Sequence, residues 1–272
     1  MRFTSIASGS SGNSTYIGTE RTHILVDVGV TMKAVNSGLE ALELNLKDIN
    51  GIFLTHEHID HIRAVGTISR KYNTPIYGTL GTLREVMLNK TLGEFPHENL
   101  FPILPDQKVK IGDLEVLPFS IYHDAADPVG YRIETESSDS SAKTVKVAVA
   151  TDMGHYDDYI ASHLEDLDGM VIEANHDVAM LSSGPYPVSL KRRILSGHGH
   201  LSNANCGKLL DSVLSKHVKH VFLGHLSKEN NLPDLALRTV RMEIDNTDSD
   251  NHAGEIDITV AHRDRVSEII DI

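Results

Sequence analysis

The chain has 272 residues, 40% hydrophobic and 23% charged, and its 25 Lys and Arg against 38 Asp and Glu give a formal charge of −13. This composition excludes a collagen-like, coiled-coil or disordered chain and is typical of a globular protein that can bury a sizeable core. The acidic balance argues against a nucleic-acid binder with a broadly basic surface, although the local basic cluster at 191–193 leaves room for a nucleic-acid partner.

The predicted elements alternate between strand-rich and helical segments. After a β-meander over 1–30, strands are predicted at 49–55, 74–79, 108–112, 114–121, 129–135, 145–152, 168–175, 220–225 and 255–261. Helices are predicted at 32–44, 62–72, 80–92, 156–164, 189–195, 204–216 and 232–243, and exposed loops at 137–142 and 245–251. Two blocks of similar plan without a linker predict one domain over 1–272, an α/β fold in which two mixed β-sheets pack face to face with helices outside, an αββα sandwich.

The sequence contains no predicted membrane span and no predicted secretory signal. The N-terminal stretch MRFTSIASGSSGNSTY has one basic residue and no long apolar run. No other window approaches the roughly 18 apolar residues that a spanning helix needs. Cys206 is the single cysteine, which rules out an intramolecular disulfide and fits a reducing compartment. These features predict a cytoplasmic protein.

Residue types that bind metals fall where predicted strands end. They are Asp27, His56, His123, Asp152 and His225. Strand ends at one edge of a sheet lie close in space although they are distant in sequence, so these side chains could converge on a metal ion.

The stretch THEHIDH at 55–61 places four such residues within six positions. His56 and His58 are two apart, so an extended loop can turn both imidazoles toward one cation. Asp60 and His61 are adjacent and diverge, which suits a second cation roughly 3.5–4 Å from the first. Imidazole with carboxylate favours zinc, manganese or iron over calcium. A solvated polar loop is the alternative, but two pairs of ligand-type residues after a buried strand favour metal binding.

These motifs together resemble the metallo-β-lactamase superfamily. His-x-His-x-Asp-His at 56–61 is preceded by the strand-end Asp of LVDVG and followed by His123, the Asp of ATDMG and the His of LGHLS, in the family's order. The resemblance implies the αββα sandwich and two divalent metal ions. The ligands that it implies for one ion are His56, His58 and His123. Those that it implies for the other are Asp60, His61 and His225, with Asp152 bridging both ions.

The resemblance also narrows the chemistry. Members that open β-lactams typically lack the bridging Asp152, and the oxygen-reducing di-iron branch usually has Glu where this chain has His58. The segments ASGSSGNS, IEANHD, GHLSN and GHLSKENN resemble the YycJ/WalJ-type branch, cytoplasmic exonuclease-like members associated with bacterial DNA repair. This implies a dinuclear metal-dependent phosphodiesterase, a DNA exonuclease acting from the 5′ end.

Two other functions stay open. A small-molecule hydrolase, such as a cyclic-phosphate phosphodiesterase, lactonase or thioesterase, would use the same metal site. A binding or scaffold protein is disfavoured because every ligand position is filled. The chain lacks an insertion between Asp152 and His225 that could form the protruding arm of the tRNA-processing enzymes, which argues against tRNA as substrate.

Further residues are candidates for catalysis or substrate binding. Asp60 and Asp152 would orient the attacking water, and Asp27 would hold the His loop by a hydrogen bond. His200 resembles the histidine that the tRNA 3′-processing ribonucleases place beside the phosphate, so it is the candidate general acid, with a capping or core histidine as the alternative. Ser202 also fits an N-cap for a helix from Ala204. The candidate substrate residues are Asn13, Asn175, His176, Ser202, Lys228 and Asn230.

Overall fold

The computed structural model describes residues 1–136, 143–245 and 256–272. The predicted loop at 137–142, and residues 246–251 of the second predicted loop, lie outside these ranges. The chain divides into two compact units. The first unit comprises Met1–Ser120, Ala125–Val145 and His262–Ile272, and the second comprises Ile121–Asp124 and Lys146–Ala261.

The described residues form two seven-stranded sheets. The strands of the first sheet are β1 (Arg2–Ala7), β2 (Ser14–Gly18), β3 (His23–Val26), β4 (Gly51–Phe53), β5 (Ile76–Thr79), β6 (Leu100–Ile103) and β14 (Ile270–Asp271). Those of the second are β7 (Val109–Ile111), β8 (Leu114–Ser120), β9 (Val129–Thr135), β10 (Lys146–Ala150), β11 (Gly169–Glu173), β12 (His220–Gly224) and β13 (Asp257–Val260). Their orders are β14-β1-β2-β3-β4-β5-β6 and β13-β12-β11-β10-β9-β8-β7.

Nine α-helices lie within the described ranges. They are α1 (Met32–Glu40), α2 (Ile59–Ile62), α3 (Val65–Tyr72), α4 (Leu80–Leu88), α5 (Asp158–Leu164), α6 (Val178–Ser183), α7 (Val188–Ile194), α8 (Asn203–Val213) and α9 (Pro233–Asp245). In this same part of the chain, no helix combines the length and the apolarity needed to cross a bilayer.

The first unit places its core under the parallel strands that lead to the His-rich loop. Strands β3, β4, β5 and β6 run parallel, whereas β1, β2 and β3 pair antiparallel. Leu25 and Ile52 face each other in neighbouring strands and are fully buried, as are Leu39 of α1 and Ile68 of α3. Strands that are buried on both faces have nearly continuous apolar sequences, which explains the sequences GIF of β4 and HILV of β3. The His-rich loop, which follows β4, is therefore anchored to a well-packed strand.

The second unit is built on the parallel strands β10, β11, β12 and β13. Every residue of β11 and β12 is buried. The register pairs Ala150 with Ile172 and Glu173 with Gly224, so the carboxyl ends of β10, β11 and β12 lie at one edge of the sheet. In sheets of this kind, functional side chains collect at that edge.

Sequence prediction missed β6, α6 and β14, and it treated β13 as the last strand. The predicted helix over 62–72 is wrong in its start, because the helical turn α2 already begins at Ile59 and α3 begins at Val65. His58 is the N-cap of α2, with extended backbone angles. The His-rich stretch is therefore half loop and half helix.

Candidate metal centre

The His-rich loop of the first unit brings four candidate ligands together. His56 and His61 are fully buried, and their rings lie 4.2 Å apart between centroids. The ring of His58 lies 4.6 Å from that of His56, nearly perpendicular to it. Asp60 Oδ2 lies 3.7 Å from His61 Nε2. Three imidazoles and one carboxylate thus share one short loop.

Asp27, the predicted supporting acid, makes hydrogen bonds to this loop. Its carboxylate accepts hydrogen bonds from Thr55 N at 2.9 Å, Thr55 Oγ1 at 2.8 Å and His61 Nδ1 at 2.7 Å. Thr55 Oγ1 in turn lies 3.0 Å from His56 Nδ1. With both Nδ1 atoms engaged as donors, Nε2 of each ring carries the lone pair that a metal requires.

Glycine at position 29 allows the LVDVG strand end to approach the His loop closely. A Cβ atom on Gly29 would lie 1.6 Å from the carbonyl oxygen of Asp60. The same carbonyl accepts the backbone N–H of Asn13, whose carbonyl accepts the N–H of Gly29. The side chain of Asn13 also contacts His61, with Nδ2 3.0 Å from Nε2. These contacts make Asn13 a neighbour of the candidate ligands.

We expect Gly29→Ala to displace the His loop, because the added methyl group overlaps Asp60 backbone and cannot rotate away. Overpacking of this kind costs about 1–3 kcal/mol of folding free energy. Metal content per chain should fall together with the urea midpoint. Gly78→Ala is the control, because a Cβ atom there would meet only side-chain atoms, the nearest being Leu83 at 3.3 Å and Leu54 at 3.7 Å. Gly154→Ala is unsuitable, since its Cβ would meet backbone atoms at 2.3 Å. If Gly29→Ala bound metal like Gly78→Ala, the close approach would not matter for the loop.

The second unit holds the other candidate ligands. His225 Nδ1 lies 3.3 Å and His123 Nε2 3.7 Å from Asp152 Oδ1. His200 Nδ1 lies 3.6 Å from the same oxygen. Ligand atoms of Asp152, Glu173, His200 and His225 all lie within 4.8 Å of one another. The structure therefore gathers three imidazoles around the carboxylate of Asp152.

Glu173 organises this cluster, and sequence prediction missed it as a site residue. It is fully buried at the end of β11, and its Oε1 accepts from His200 Nδ1 at 2.9 Å and His225 Nδ1 at 2.8 Å. Its Oε2 accepts from the backbone N–H groups of Met153 at 2.8 Å and Leu201 at 3.0 Å. Burial alone would raise the pKa of Glu173, but charge on His200 and the hydrogen bonds from His200 and His225 lower it to about 2.

Glu173 therefore performs for the second unit the role that Asp27 performs for the first. It orients His225 and links the residue after Asp152 to the GHLSN segment. His123 is oriented by a backbone group instead, with Nδ1 3.1 Å from the carbonyl oxygen of Gly199. The only sequence clue to Glu173 was its place in IEANHD at the end of an apolar strand.

Three of the strand-end site residues adopt left-handed backbone angles. The φ values are 60° for Asp27, 61° for Asp152 and 54° for His225. A non-glycine residue with positive φ is uncommon and costs of order 1–3 kcal/mol where it is strained. Such conformations cluster at functional sites, where the surroundings hold a side chain in one direction.

The remaining candidates have mixed environments. Ser202 caps α8, accepting from Asn205 N at 3.3 Å, as predicted, although the helix begins at Asn203. Asn175 Nδ2 donates to the His225 carbonyl at 2.9 Å, and Asn230 is fully buried against Ser227. Lys228 is exposed.

His176 is 1% exposed, and neither ring nitrogen has a hydrogen-bond partner among the described residues. Burial lowers the pKa of His176 to about 4, so the ring is neutral at pH 7. A buried neutral imidazole keeps one lone pair and one N–H available.

The donor set in each unit fits divalent metal ions. Each unit offers imidazole nitrogens together with carboxylate oxygen, the combination that zinc, manganese and iron share. In both units a buried carboxylate fixes the tautomer of a candidate ligand, which is the support that ligating histidines commonly have. This arrangement fits the prediction of divalent metal binding.

The chain is similar to proteins of known family. The model of the beta-lactamase superfamily domain matches residues 22–225. Exodeoxyribonuclease YycJ of Bacillus anthracis is 37% identical over 240 residues, covering 88% of each chain. Exodeoxyribonuclease WalJ of Streptococcus pneumoniae strain D39 is 37% identical over 240 residues, covering 88% of this chain and 87% of that protein.

The fold also matches solved structures. The metallo-beta-lactamase fold protein YhfI of Bacillus subtilis superposes with a TM-score of 0.69 at 16% identity, covering 98% of each chain. Together with the two mixed seven-stranded sheets, this likeness confirms the predicted αββα sandwich.

Proposed function

The chain belongs to the metallo-β-lactamase superfamily and to its YycJ/WalJ-type branch, and from this premise we propose that it is a two-metal phosphodiesterase that degrades DNA from the 5′ end. The observation that carries the proposal is the Asp152 carboxylate, held among His123, His200 and His225. The names of the two relatives support DNA as the substrate.

We assign the ligands as the family's pattern has them. One ion would be held by His56, His58 and His123. The other would be held by Asp60, His61 and His225, and Asp152 would bridge both. When bound, the two ions would lower the pKa of a coordinated water toward neutrality and stabilise negative charge on the phosphoryl oxygens. Zinc, manganese and iron all suit this set of donors.

The chain's own residues would then position the reaction. Asp60 and Asp152 would orient the attacking water through their carboxylates. His200 is 19% exposed in its side chain, and its Nδ1–H is engaged by Glu173, so Nε2 is the atom that can carry a proton to the leaving alkoxide. The carboxylate of Glu173 holds the His200 ring in place through Nδ1. We also propose that residues 1–272 act as one catalytic domain in the cytoplasm, which buried, unpaired Cys206 fits.

A substrate panel tests the proposal. The metal-loaded protein should shorten 5′-labelled duplex DNA from the labelled end, and a chelator should stop the reaction. Single-stranded DNA, RNA, a cyclic phosphodiester and a lactone serve as the other substrates, with metal content measured on the same sample. Hydrolysis of the lactone without cleavage of any phosphodiester would contradict the proposal and favour a small-molecule hydrolase.

A further inference from the structure

The first unit contains a cavity with three arginines in its lining. The cavity has a volume of about 460 Å³, within the roughly 300–1,000 Å³ of small-ligand sites. Arg63, Arg263, Arg265 and Asp264 line it, so the charged residues of the lining carry an excess of two positive charges. The chain as a whole carries −13. The charge of the cavity lining is therefore opposite in sign to the net charge of the chain.

Two of these arginines have no counter-charge in the described part of the chain. No salt bridge or side-chain hydrogen bond joins Arg63 or Arg265 to any described residue, and both are exposed. By contrast, two of the three residues in the basic cluster that the sequence suggested for DNA, Lys191 and Arg193, are already engaged. Lys191 Nζ donates to the Ser182 carbonyl at 2.7 Å, and Arg193 pairs with Asp124. The arginines of the cavity are therefore the better candidates for binding an anion.

The start of α1 adds to this chemistry. Thr31, the N-cap of α1, lines the cavity, and the first turn of this helix contains no acidic residue. The N-terminal end of a helix carries partial positive charge and N–H groups that favour phosphate. Arginine forms paired hydrogen bonds with phosphate oxygens in a geometry that lysine cannot match. Ser11 and Ser37 add hydroxyl donors. This combination fits a phosphate group.

Part of the cavity lining is apolar. Ile6, Ala7, Val30 and Val266 contribute to it. A ligand that matches both the basic and the apolar parts of this lining has a phosphate together with an uncharged ring or sugar, as a nucleotide does.

The cavity also shares two chain segments with the His loop. Arg63 is the C-cap of α2, the turn that carries Asp60 and His61. Ser11 belongs to the loop whose Asn13 binds the Asp60 carbonyl. A strand held in this cavity would be held by the same segments that position the candidate metal ligands.

We propose that the cavity of Arg63, Arg263 and Arg265 binds one nucleotide of the DNA substrate, away from the phosphodiester that is cleaved, through its phosphate. The proposal rests on the function proposed above, because it assigns a binding subsite to that reaction. It also explains how an acidic protein holds DNA with a few concentrated charges.

Arg265→Ala tests the subsite because its exposed side chain can be removed with little effect on folding. The Kd for a fluorescein-labelled phosphorothioate duplex, which resists cleavage, should rise roughly 10- to 100-fold, the effect of losing a charged hydrogen bond. The slope of log K against log salt should become shallower by about 1. The KM for cleavable DNA should rise likewise, out of proportion to any change with bis(p-nitrophenyl) phosphate, which has no neighbouring nucleotide to place in the cavity. Arg238→Ala, an exposed arginine of α9, is the matched control.

The outcomes separate the two proposals. Wild-type affinity and salt slope in both Arg265→Ala and Arg63→Ala would overturn the subsite, even if DNA is cleaved. Arginine-dependent binding of the duplex by a protein that cleaves no DNA would instead overturn the proposed function and leave the subsite standing. Competition by deoxyadenosine monophosphate at the same affinity as the duplex would also overturn the subsite, because a free nucleotide would then be the ligand.

Discussion

Asp152→Asn should lose essentially all phosphodiesterase activity while the fold is kept. Asparagine tolerates the left-handed conformation that Asp152 adopts at φ 61° better than alanine does. The variant therefore removes the negative charge with little change to the backbone. Mutation of a residue that only orients metal ligands typically lowers activity or metal affinity about 10- to 100-fold. Loss of a bridging ligand should have a larger effect, so we expect activity to fall more than about 100-fold. Less metal should also be bound per chain.

Asp166 provides a matched control for this variant. It lies in the same unit, it too has positive φ, at 52°, and it is exposed in a surface ion pair with Lys146. Surface ion pairs contribute about 0–1 kcal/mol, so Asp166→Asn should retain activity, metal content and thermal stability. Asp152→Ala gives a second measure of the same loss. Full metal content and turnover in both Asp152 variants would refute the bridging role.

The His loop was predictable because its information is local. Four ligand-type residues within six positions, directly after a buried strand, already indicate metal binding. The strand-end positions of Asp27, Asp152 and His225 were also predictable, since apolar runs locate strands. Their left-handed backbone angles were not predictable, because sequence pattern does not show which strand ends turn sharply to direct a side chain.

Glu173 escaped prediction for a different physical reason. Its four hydrogen-bond donors come from His200, His225 and the backbone after Asp152 and His200, which are distant in sequence. A glutamate that ends an apolar strand resembles a residue entering solvent until its complete burial is seen. Likewise, Gly29 resembled an ordinary turn glycine, and only the position of the Asp60 carbonyl shows why a side chain cannot fit there.

The failure to predict β6 and β14, and the division of the helix predicted at 62–72 into α2 and α3, have local causes. Strand β6 contains a proline, and β14 has two residues, so neither has a clear strand pattern. Both lie at the ends of the first sheet, where proline is tolerated. The helical turn α2 begins at Ile59, with His58 in extended backbone angles at the N-cap position and without a side-chain cap hydrogen bond. Periodicity cannot show such a cap, because histidine is not a typical N-cap residue.

Glu173→Gln should show how much of the second unit's site depends on one buried carboxylate. An amide has one oxygen and one NH₂ group, so it cannot accept from two imidazoles and two backbone N–H groups at once. At least one donor would then face another donor, and a buried donor without an acceptor costs about 1–3 kcal/mol. We expect turnover to fall about 10- to 100-fold through misorientation of His225 and His200.

Measurements on Glu173→Gln, Glu173→Ala and the exposed Glu229→Gln control can separate positioning from stability. In urea unfolding, the midpoint of Glu173→Ala should be lower than that of Glu173→Gln, because alanine also leaves a cavity.

A purely structural role of Glu173 would lower the unfolding midpoint while leaving kcat and metal content of the folded fraction at wild-type values. A positioning role lowers kcat at temperatures where Glu173→Gln is fully folded, and changes the shape of the pH–rate profile. Wild-type kcat with an unchanged profile would show that His200 and His225 keep their orientation without Glu173.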